Sequence, residues 1–168
     1  MSTQEHSASN PRVGIIMGSR SDWPSMQYAA QVLRDLNIPY EARVMSAHRT
    51  PARVHDWVNA ARGRGIEVII AGAGGAAHLA GVVASLTSLP VIGIPMKTSA
   101  LGGLDSLLST VQMPRGIPVA TMGIGDAGAK NGALFAAAIC AGRDSDTAAR
   151  LEVYREEQTA SIPETVTD

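Results

Sequence analysis

The sequence predicts one α/β domain: a doubly wound, five-stranded parallel sheet between two layers of helices, followed by an extra C-terminal helix. Short apolar runs alternate with segments whose apolar residues recur at helical spacing. The run at 13–17 is apolar at every position rather than at every second one, which is typical of a strand buried on both faces. The length of 168 residues and hydrophobic content of 45% fit a single domain with one sizeable core.

The first half of the chain contains three predicted strands, at 13–17, 40–45 and 67–71. A helix follows each of them. The first has N-cap residues in 19–22 and Pro24 in its first turn, and the second, at 51–64, has Thr50 as its N-cap and proline at its first position. A glycine loop at 72–77 precedes the third helix, at 79–86.

The second half contains two further strands, at 91–94 and 118–122, and a helix is predicted after each. An additional helix at 144–161 has a sparse apolar face of Ala148, Leu151 and Tyr154, so we expect either a surface helix or one that docks on a neighbouring subunit. The predicted division is a disordered tail at 1–11, one domain at 12–161 and a second tail at 162–168.

The position of the ligand site follows from the strand order. Crossovers between parallel strands are right-handed, and 2-1-3-4-5 is a common order for five strands, as in flavodoxin-like folds. In that order the loops after the first three strands emerge at one edge of the sheet, where the winding direction switches. Ligands bind at this edge in doubly wound folds.

Composition excludes several classes of protein. The formal net charge is −1, which supplies no broad basic surface for nucleic acid. Residues 68–89 are nearly all apolar, but their glycines and His78 favour a strand, loop and helix over a membrane span. Residues 1–11 lack the features of a secretory signal, so we expect a cytoplasmic protein. The single cysteine, Cys140, excludes an intrachain disulfide and is predicted to be a buried helical thiol.

A candidate anion site follows the first strand. The hydroxyls of Ser19 and Ser21, the free N–H groups of a helix start and the guanidinium of Arg49 together suit a phosphate. Asp22 would repel that phosphate and is better suited to the hydroxyls of a ribose, which indicates a nucleotide-like ligand. Helix capping by Ser19 or Asp22 is the structural alternative.

His48 is the candidate acid–base residue because it lies in a strand-to-helix loop at the predicted ligand edge. The alternative is a histidine satisfied by the backbone of a turn. His55 is predicted to lie on the surface, and His78 at a helix start or beside the site. The histidines have no metal-binding spacing, so a metal is not expected.

Parts of the sequence also fit three other functions: dinucleotide binding, serine hydrolysis and nucleotide sensing. The glycine patterns at 72–77 and 123–128 match part of a dinucleotide fingerprint, but neither has the acidic residue required about 20 residues later. The first is therefore interpreted as tight packing or as backbone N–H groups that approach a ligand closely. A serine hydrolase would use Ser19 or Ser21 with His48 and Asp22, without the usual G-x-S-x-G elbow. A non-catalytic nucleotide sensor also fits the fold.

Four segments together resemble the PurE family of purine biosynthesis. They are 17–23 (MGSRSDW), 46–51 (SAHRTP), 71–79 (AGAGGAAHL) and 112–116 (QMPRG), and the resemblance extends over about 13–161. The third segment is similar to that of the bacterial mutase class rather than to the related carboxylases that use free carbon dioxide. Ala80 departs from the family pattern, which usually has proline there, and no role is assigned to Lys97.

The resemblance implies an isomerase that acts on a small ribonucleotide and moves a carboxylate from nitrogen to a ring carbon without a cofactor. It implies that His48 is the acid–base residue, that Asp22 holds the ribose, and that the phosphate is bound by Ser19, Ser21 and Arg49. Ser46, Ala73 and Gly74 would line the pocket for the aminoimidazole and the migrating carboxylate. It also implies a homo-octamer in which the C-terminal helix crosses to a neighbouring subunit.

Overall fold

The computed structural model describes residues 10–166 and contains a five-stranded sheet of order β2-β1-β3-β4-β5 in which every neighbouring pair is parallel. The strands are β1 (Val13–Met17), β2 (Tyr40–Val44), β3 (Val68–Ala73), β4 (Val91–Pro95) and β5 (Ala120–Thr121). The helices are α1 (Trp23–Asp35), α2 (Pro51–Ala61), α3 (Leu79–Leu86), α4 (Leu104–Val111), α5 (Asp126–Ala141) and α6 (Ser145–Ala160). The predicted fold class and strand order are confirmed. Residues 1–9 and 167–168 of the two predicted tails lie outside the described residues.

Strand β1 is covered on both faces of the sheet, which explains why it is apolar at successive positions. Val13, Ile15 and Met17 of β1 belong to a core cluster with buried residues of α1 and α5, whereas Ile16 belongs to a second cluster with α2 and α3. Successive side chains of a strand point to opposite faces, so a strand between two helical layers requires apolar residues throughout.

The third strand is two residues longer at its C-terminal end than the sequence indicated. Gly72 and Ala73, expected in the glycine loop, pair with Met17 and Pro95 as part of β3. A Cβ at position 72 would lie 2.5 Å from Sδ of Met26, so glycine allows α1 to cover the sheet at this point. The loop that lines the ligand edge therefore begins at Gly74.

Two other elements are shorter than predicted. The edge strand β5 is confined to Ala120–Thr121, because only these residues pair with β4. Helix α2 ends at Ala61 and continues as a 3₁₀ turn at Arg62–Arg64, which Gly65 terminates in a left-handed conformation at φ 92°. A left-handed residue commonly ends a helix in this way.

Helix α6 packs on its own domain. Leu151 and Tyr154 are partly buried against the cluster that contains α1 and α5, and Thr147 is fully buried. The carboxylate of Asp144 caps the helix by accepting hydrogen bonds from the N–H groups of Asp146 and Thr147, each at 3.1 Å. The Thr147 hydroxyl, the Thr147 N–H and Arg12 hold the pKa of Asp144 well below its usual range.

The apolar stretch at 68–89 is divided between β3, a loop and α3, as predicted. Within residues 10–166, no helix has the length and apolar character needed to cross a membrane. Cys140 is fully buried in α5, so the predicted buried helical thiol is confirmed.

Candidate functional site

The loops after β1, β2 and β3 line one pocket of about 450 Å³, together with the segment that follows β4. All of these loops leave the C-terminal ends of parallel strands, and β1 lies between β2 and β3 where the winding direction switches. The structure places every residue of the predicted site in the lining of this pocket: Ser19, Ser21, Asp22, Ser46, His48, Arg49, Ala73 and Gly74.

The loop after β1 forms a capped 3₁₀ turn. The Ser19 N–H donates to the Asp22 carboxylate at 3.1 Å, and the hydroxyl of Ser21 donates to Oγ of Ser19 at 2.8 Å. Ser19 and Asp22 form a capping box, so the structural alternative considered for these residues is correct. Both side chains nevertheless line the pocket, which makes capping compatible with a role in binding.

Asp22 is half-buried, and its burial raises the pKa of its carboxyl above the usual value. The Ser19 N–H and the charge of Arg49 oppose this effect but do not cancel it. The pocket therefore contains a carboxyl group that is less acidic than an exposed aspartate.

The loop after β2 is closed by Thr50. This residue occupies the N-cap of α2, as predicted, but its hydroxyl turns back to the loop and donates to the Ser46 carbonyl at 3.0 Å. Oγ of Ser46 accepts a hydrogen bond from the Arg49 N–H at 3.2 Å, and the Arg49 guanidinium donates to the Gly18 carbonyl at 2.8 Å. Arg49 thus connects the loops after β1 and β2, and His48 lies exposed beside it.

The glycine loop after β3 is held from α4. Gly75 has a positive φ of 67°, its N–H donates to Oγ of the buried Ser106 at 2.9 Å, and its carbonyl accepts from the Ser109 hydroxyl at 3.2 Å. Ser106 and Ser109 are not predicted from the sequence. No local pattern could have indicated them, because they occupy ordinary helical positions about 30 residues from the loop that they hold.

His78 also lines the pocket, at the N-cap position of α3. Its Nδ1 lies 2.9 Å from Nε2 of His48, and the two rings meet edge to face with their centroids 5.0 Å apart. Both positions considered for His78, at a helix start and beside the site, are therefore correct. His55 lies outside the pocket lining and is exposed on α2, as predicted.

The pocket carries two permanent positive charges, Arg49 and Lys97. Neither forms an ion pair with a carboxylate among residues 10–166. These two cations outnumber the one carboxylate of the pocket lining, Asp22, so the pocket attracts an anionic ligand. In the same part of the chain, no group of three or more His, Cys, Asp and Glu side chains is arranged to bind a metal ion.

The fold and the pocket define an α/β protein whose small-molecule site lies at the switch point of a doubly wound sheet. Within that class, the chain belongs to the AIR carboxylase family, whose model matches residues 12–161. The family resemblance predicted from the four segments is thereby confirmed.

Relatives and solved structures agree with this assignment. The chain is 54% identical over 153 residues to N5-carboxyaminoimidazole ribonucleotide mutase of Aliivibrio fischeri, covering 91% of this chain and 95% of the relative. It is 60% identical over 147 residues to the protein of the same name from Pyrococcus abyssi, covering 88% and 83%. The crystal structure of Treponema denticola PurE matches with a TM-score of 0.79 at 28% identity, covering 90% of this chain and 93% of that one.

Proposed function

We propose that this chain is a mutase of purine biosynthesis that converts N5-carboxyaminoimidazole ribonucleotide into 4-carboxy-5-aminoimidazole ribonucleotide, with His48 as general acid and then general base. The observation that carries the proposal is the position of His48 in one pocket with Arg49, Ser19 and Asp22. The relatives named as N5-carboxyaminoimidazole ribonucleotide mutase support the choice of substrate.

The phosphate of the substrate is assigned to the loop after β1. Ser19 and Ser21 supply hydroxyls there, and the guanidinium of Arg49 lies against the same loop through its bond to the Gly18 carbonyl. Arginine is well suited to phosphate because its N–H groups form paired, charge-assisted hydrogen bonds. Asp22 follows within the same turn and is assigned to the ribose, because a carboxylate readily accepts hydrogen bonds from hydroxyl groups.

The aminoimidazole and its carboxylate are assigned to the part of the pocket lined by Ser46, Ala73 and Gly74. Small side chains at 73 and 74 allow the ligand to approach the backbone closely. A Cβ at Gly74 would lie 3.3 Å from Cβ of Met96, so the wall behind this position is already tightly packed.

A single histidine is sufficient for the proposed reaction. The imidazolium of His48 donates a proton to the exocyclic nitrogen, the nitrogen–carbon bond of the carbamate breaks, and its electron pair remains on nitrogen as carbon dioxide leaves. The electron-rich C4 of the aminoimidazole then adds to carbon dioxide, and neutral His48 removes the proton from C4. The proton donated first is recovered last. General acid–base catalysis increases the rate by about 10²–10⁴-fold. Holding carbon dioxide and the aminoimidazole ribonucleotide together in the pocket increases it further.

A homo-octamer in the cytoplasm is the proposed assembly. Helix α4 and the preceding turn present an exposed aliphatic stripe at spacings of three and four residues, formed by Leu101, Leu104, Leu108 and Val111. Apolar stripes of this kind commonly mark an interface between subunits. Light scattering coupled to size-exclusion chromatography tests the assembly, and a monomeric mass would contradict it.

The decisive experiment is incubation with N5-carboxyaminoimidazole ribonucleotide and ultraviolet detection of the carbon-carboxylated isomer. The same reaction run in ¹³C-bicarbonate distinguishes a mutase from a carboxylase, because a mutase transfers the unlabelled carboxylate of its own substrate whereas a carboxylase incorporates the label. A nucleotide sensor would bind the substrate without isomerising it. A serine hydrolase would react with a fluorophosphonate, and we expect no labelling.

The role of His48 is tested by His48→Asn in the same assay, with His55→Asn as the matched control on the exposed face of α2. We expect His48→Asn to retain ribonucleotide binding and to lose most of its turnover, by about 10²-fold or more. His55→Asn keeps normal turnover. Turnover of His48→Asn within tenfold of the unchanged protein would contradict the acid–base assignment.

A further inference from the structure

His48 and His78 come from different loops, and their rings are in direct hydrogen-bonding contact. Nε2 of His48 and Nδ1 of His78 are 2.9 Å apart, and the two residues are separated by 30 positions in the chain. Within residues 10–166, neither Nδ1 of His48 nor Nε2 of His78 has a hydrogen-bond partner. The contact therefore occupies one nitrogen of each ring and leaves the other available.

One proton occupies the contact between the two nitrogens, so two arrangements are possible. In the first, the Nε2–H of His48 donates to the lone pair on Nδ1 of His78. In the second, the Nδ1–H of His78 donates to a lone pair on Nε2 of His48. The second arrangement is incompatible with a doubly protonated His48, because the lone pair on Nε2 is already used.

The first arrangement is compatible with both states that the proposed reaction requires. With its Nε2–H held by His78, His48 can carry a proton on Nδ1 as the acid and a lone pair on Nδ1 as the base. The contact with His78 is the same in both states. His48 then donates the first proton and accepts the proton from C4 through the same atom, Nδ1, which keeps one position.

The backbone at His78 is held in place by hydrogen bonds. It occupies the N-cap of α3, its N–H donates to the Ala76 carbonyl at 2.8 Å, and its carbonyl accepts from the Val82 N–H at 2.9 Å. The following residue, Leu79, is buried in the core cluster beneath the pocket. The backbone that carries the ring is thus fixed on both sides, although the ring itself is exposed.

We propose that His78 is a positioning residue for His48: it accepts the Nε2–H of His48, fixes the tautomer and the orientation of that ring, and directs proton transfer through Nδ1. This inference rests on the proposed function, since it assigns His48 the acid–base role. His78 itself neither donates a proton to the substrate nor accepts one from it. Its effect is therefore on the chemical step rather than on ribonucleotide binding.

Two substitutions at position 78 separate the hydrogen bond from the bulk of the ring. His78→Ala removes the acceptor, whereas in His78→Asn the amide oxygen occupies nearly the place of Nδ1 and can still accept from His48. We expect His78→Ala to lower kcat by about 10–100-fold with KM changed by less than about threefold, since misorientation of a catalytic group has effects of this size. His78→Asn restores most of kcat.

The tautomer provides a second readout that a purely structural role would not change. In ¹⁵N spectra of the imidazole nitrogens, with His48 assigned through His48→Asn, we expect neutral His48 of the unchanged protein to carry its proton on Nε2. His78→Ala gives a mixture of tautomers, and His55→Ala, the control outside the pocket, leaves the spectrum of His48 unchanged.

The outcomes distinguish this inference from the function on which it rests. If His48→Asn keeps its turnover, the acid–base assignment fails and this inference fails with it. If His48→Asn is inactive but His78→Ala has normal kcat, only the inference about His78 is overturned. Equal losses in His78→Ala and His78→Asn would also overturn it, because the ring rather than its acceptor would then be required.

Discussion

The N–H of Gly75 donates to Oγ of Ser106 at 2.9 Å, and Ser106 is fully buried on α4. This bond joins the glycine loop after β3 to a helix that belongs to a later part of the chain. Ser109, one turn further along α4, donates to the carbonyl of the same glycine at 3.2 Å. The wall assigned to the aminoimidazole therefore depends on α4 as well as on the loop itself.

Ser106→Ala is expected to weaken both stability and activity. It leaves the Gly75 N–H without its partner at a part-buried position, which costs about 1–3 kcal/mol of unfolding free energy. The loop also becomes less ordered, so kcat/KM for the mutase reaction falls. Urea unfolding and steady-state kinetics measure the two effects. Ser85→Ala, which removes an exposed hydroxyl bonded only to the Val82 carbonyl, is the control, and equal effects of the two variants would contradict the prediction.

Local patterns were sufficient to predict the strands and helices, and general rules for crossovers between parallel strands then predicted the sheet order. The apolar runs locate the strands, and the switch-point rule then brings Ser19, His48 and Gly74 together. The bond from Gly75 to Ser106 could not be predicted, because it depends on how closely α4 approaches the glycine loop. The direct contact of His78 with His48 depends in the same way on the distance between the loops after β2 and β3. The end of β3 could not be predicted for a similar reason. The glycines from Gly72 onward indicate a loop, and only the packing of Met26 against Gly72 shows why a strand needs glycine there.

Cys140 is expected to be unreactive in the folded protein. Burial raises the pKa of its thiol to about 11, so about one thiol in a thousand is ionised at pH 8, and the side chain is also inaccessible. Dithionitrobenzoate should therefore leave the native protein unmodified and react with one thiol per chain after denaturation in urea. Stoichiometric labelling of the native protein within minutes would contradict the buried position of this thiol.

Arg49→Ala is expected to weaken binding of the product ribonucleotide at least about tenfold, because charge-assisted hydrogen bonds to a phosphate contribute about 1.5–3 kcal/mol. Arg49→Lys retains the charge without the paired donors and should give an intermediate affinity. Isothermal titration calorimetry measures both. Arg53→Ala is the control, since Arg53 is exposed on α2 outside the pocket lining. Unchanged affinity of Arg49→Ala would remove this residue from the site.

Asp22→Asn is expected to stabilise the fold while it weakens ribonucleotide binding. Burial raises the pKa of Asp22, so the folded protein releases this proton at a higher pH than the unfolded chain, and ionisation above that pH reduces stability. Asparagine avoids this cost, and its amide oxygen still accepts from the Ser19 N–H. The variant should therefore have the higher Tm at pH 7. The difference should disappear as the pH falls below the usual value of 3.8, where both side chains are neutral.

The loss of binding in Asp22→Asn has a separate cause, because the amide is a weaker acceptor for the ribose hydroxyls than a carboxylate. Hydrogen bonds to charged groups contribute more than neutral ones by about 1 kcal/mol, which predicts an increase in KM of about fivefold. Asp35→Asn, at an exposed carboxylate near the end of α1, should change neither Tm nor KM. A Tm difference for Asp22→Asn that is the same at pH 7 and at pH 3.5 would show that the ionisation of this carboxyl does not set its effect on stability.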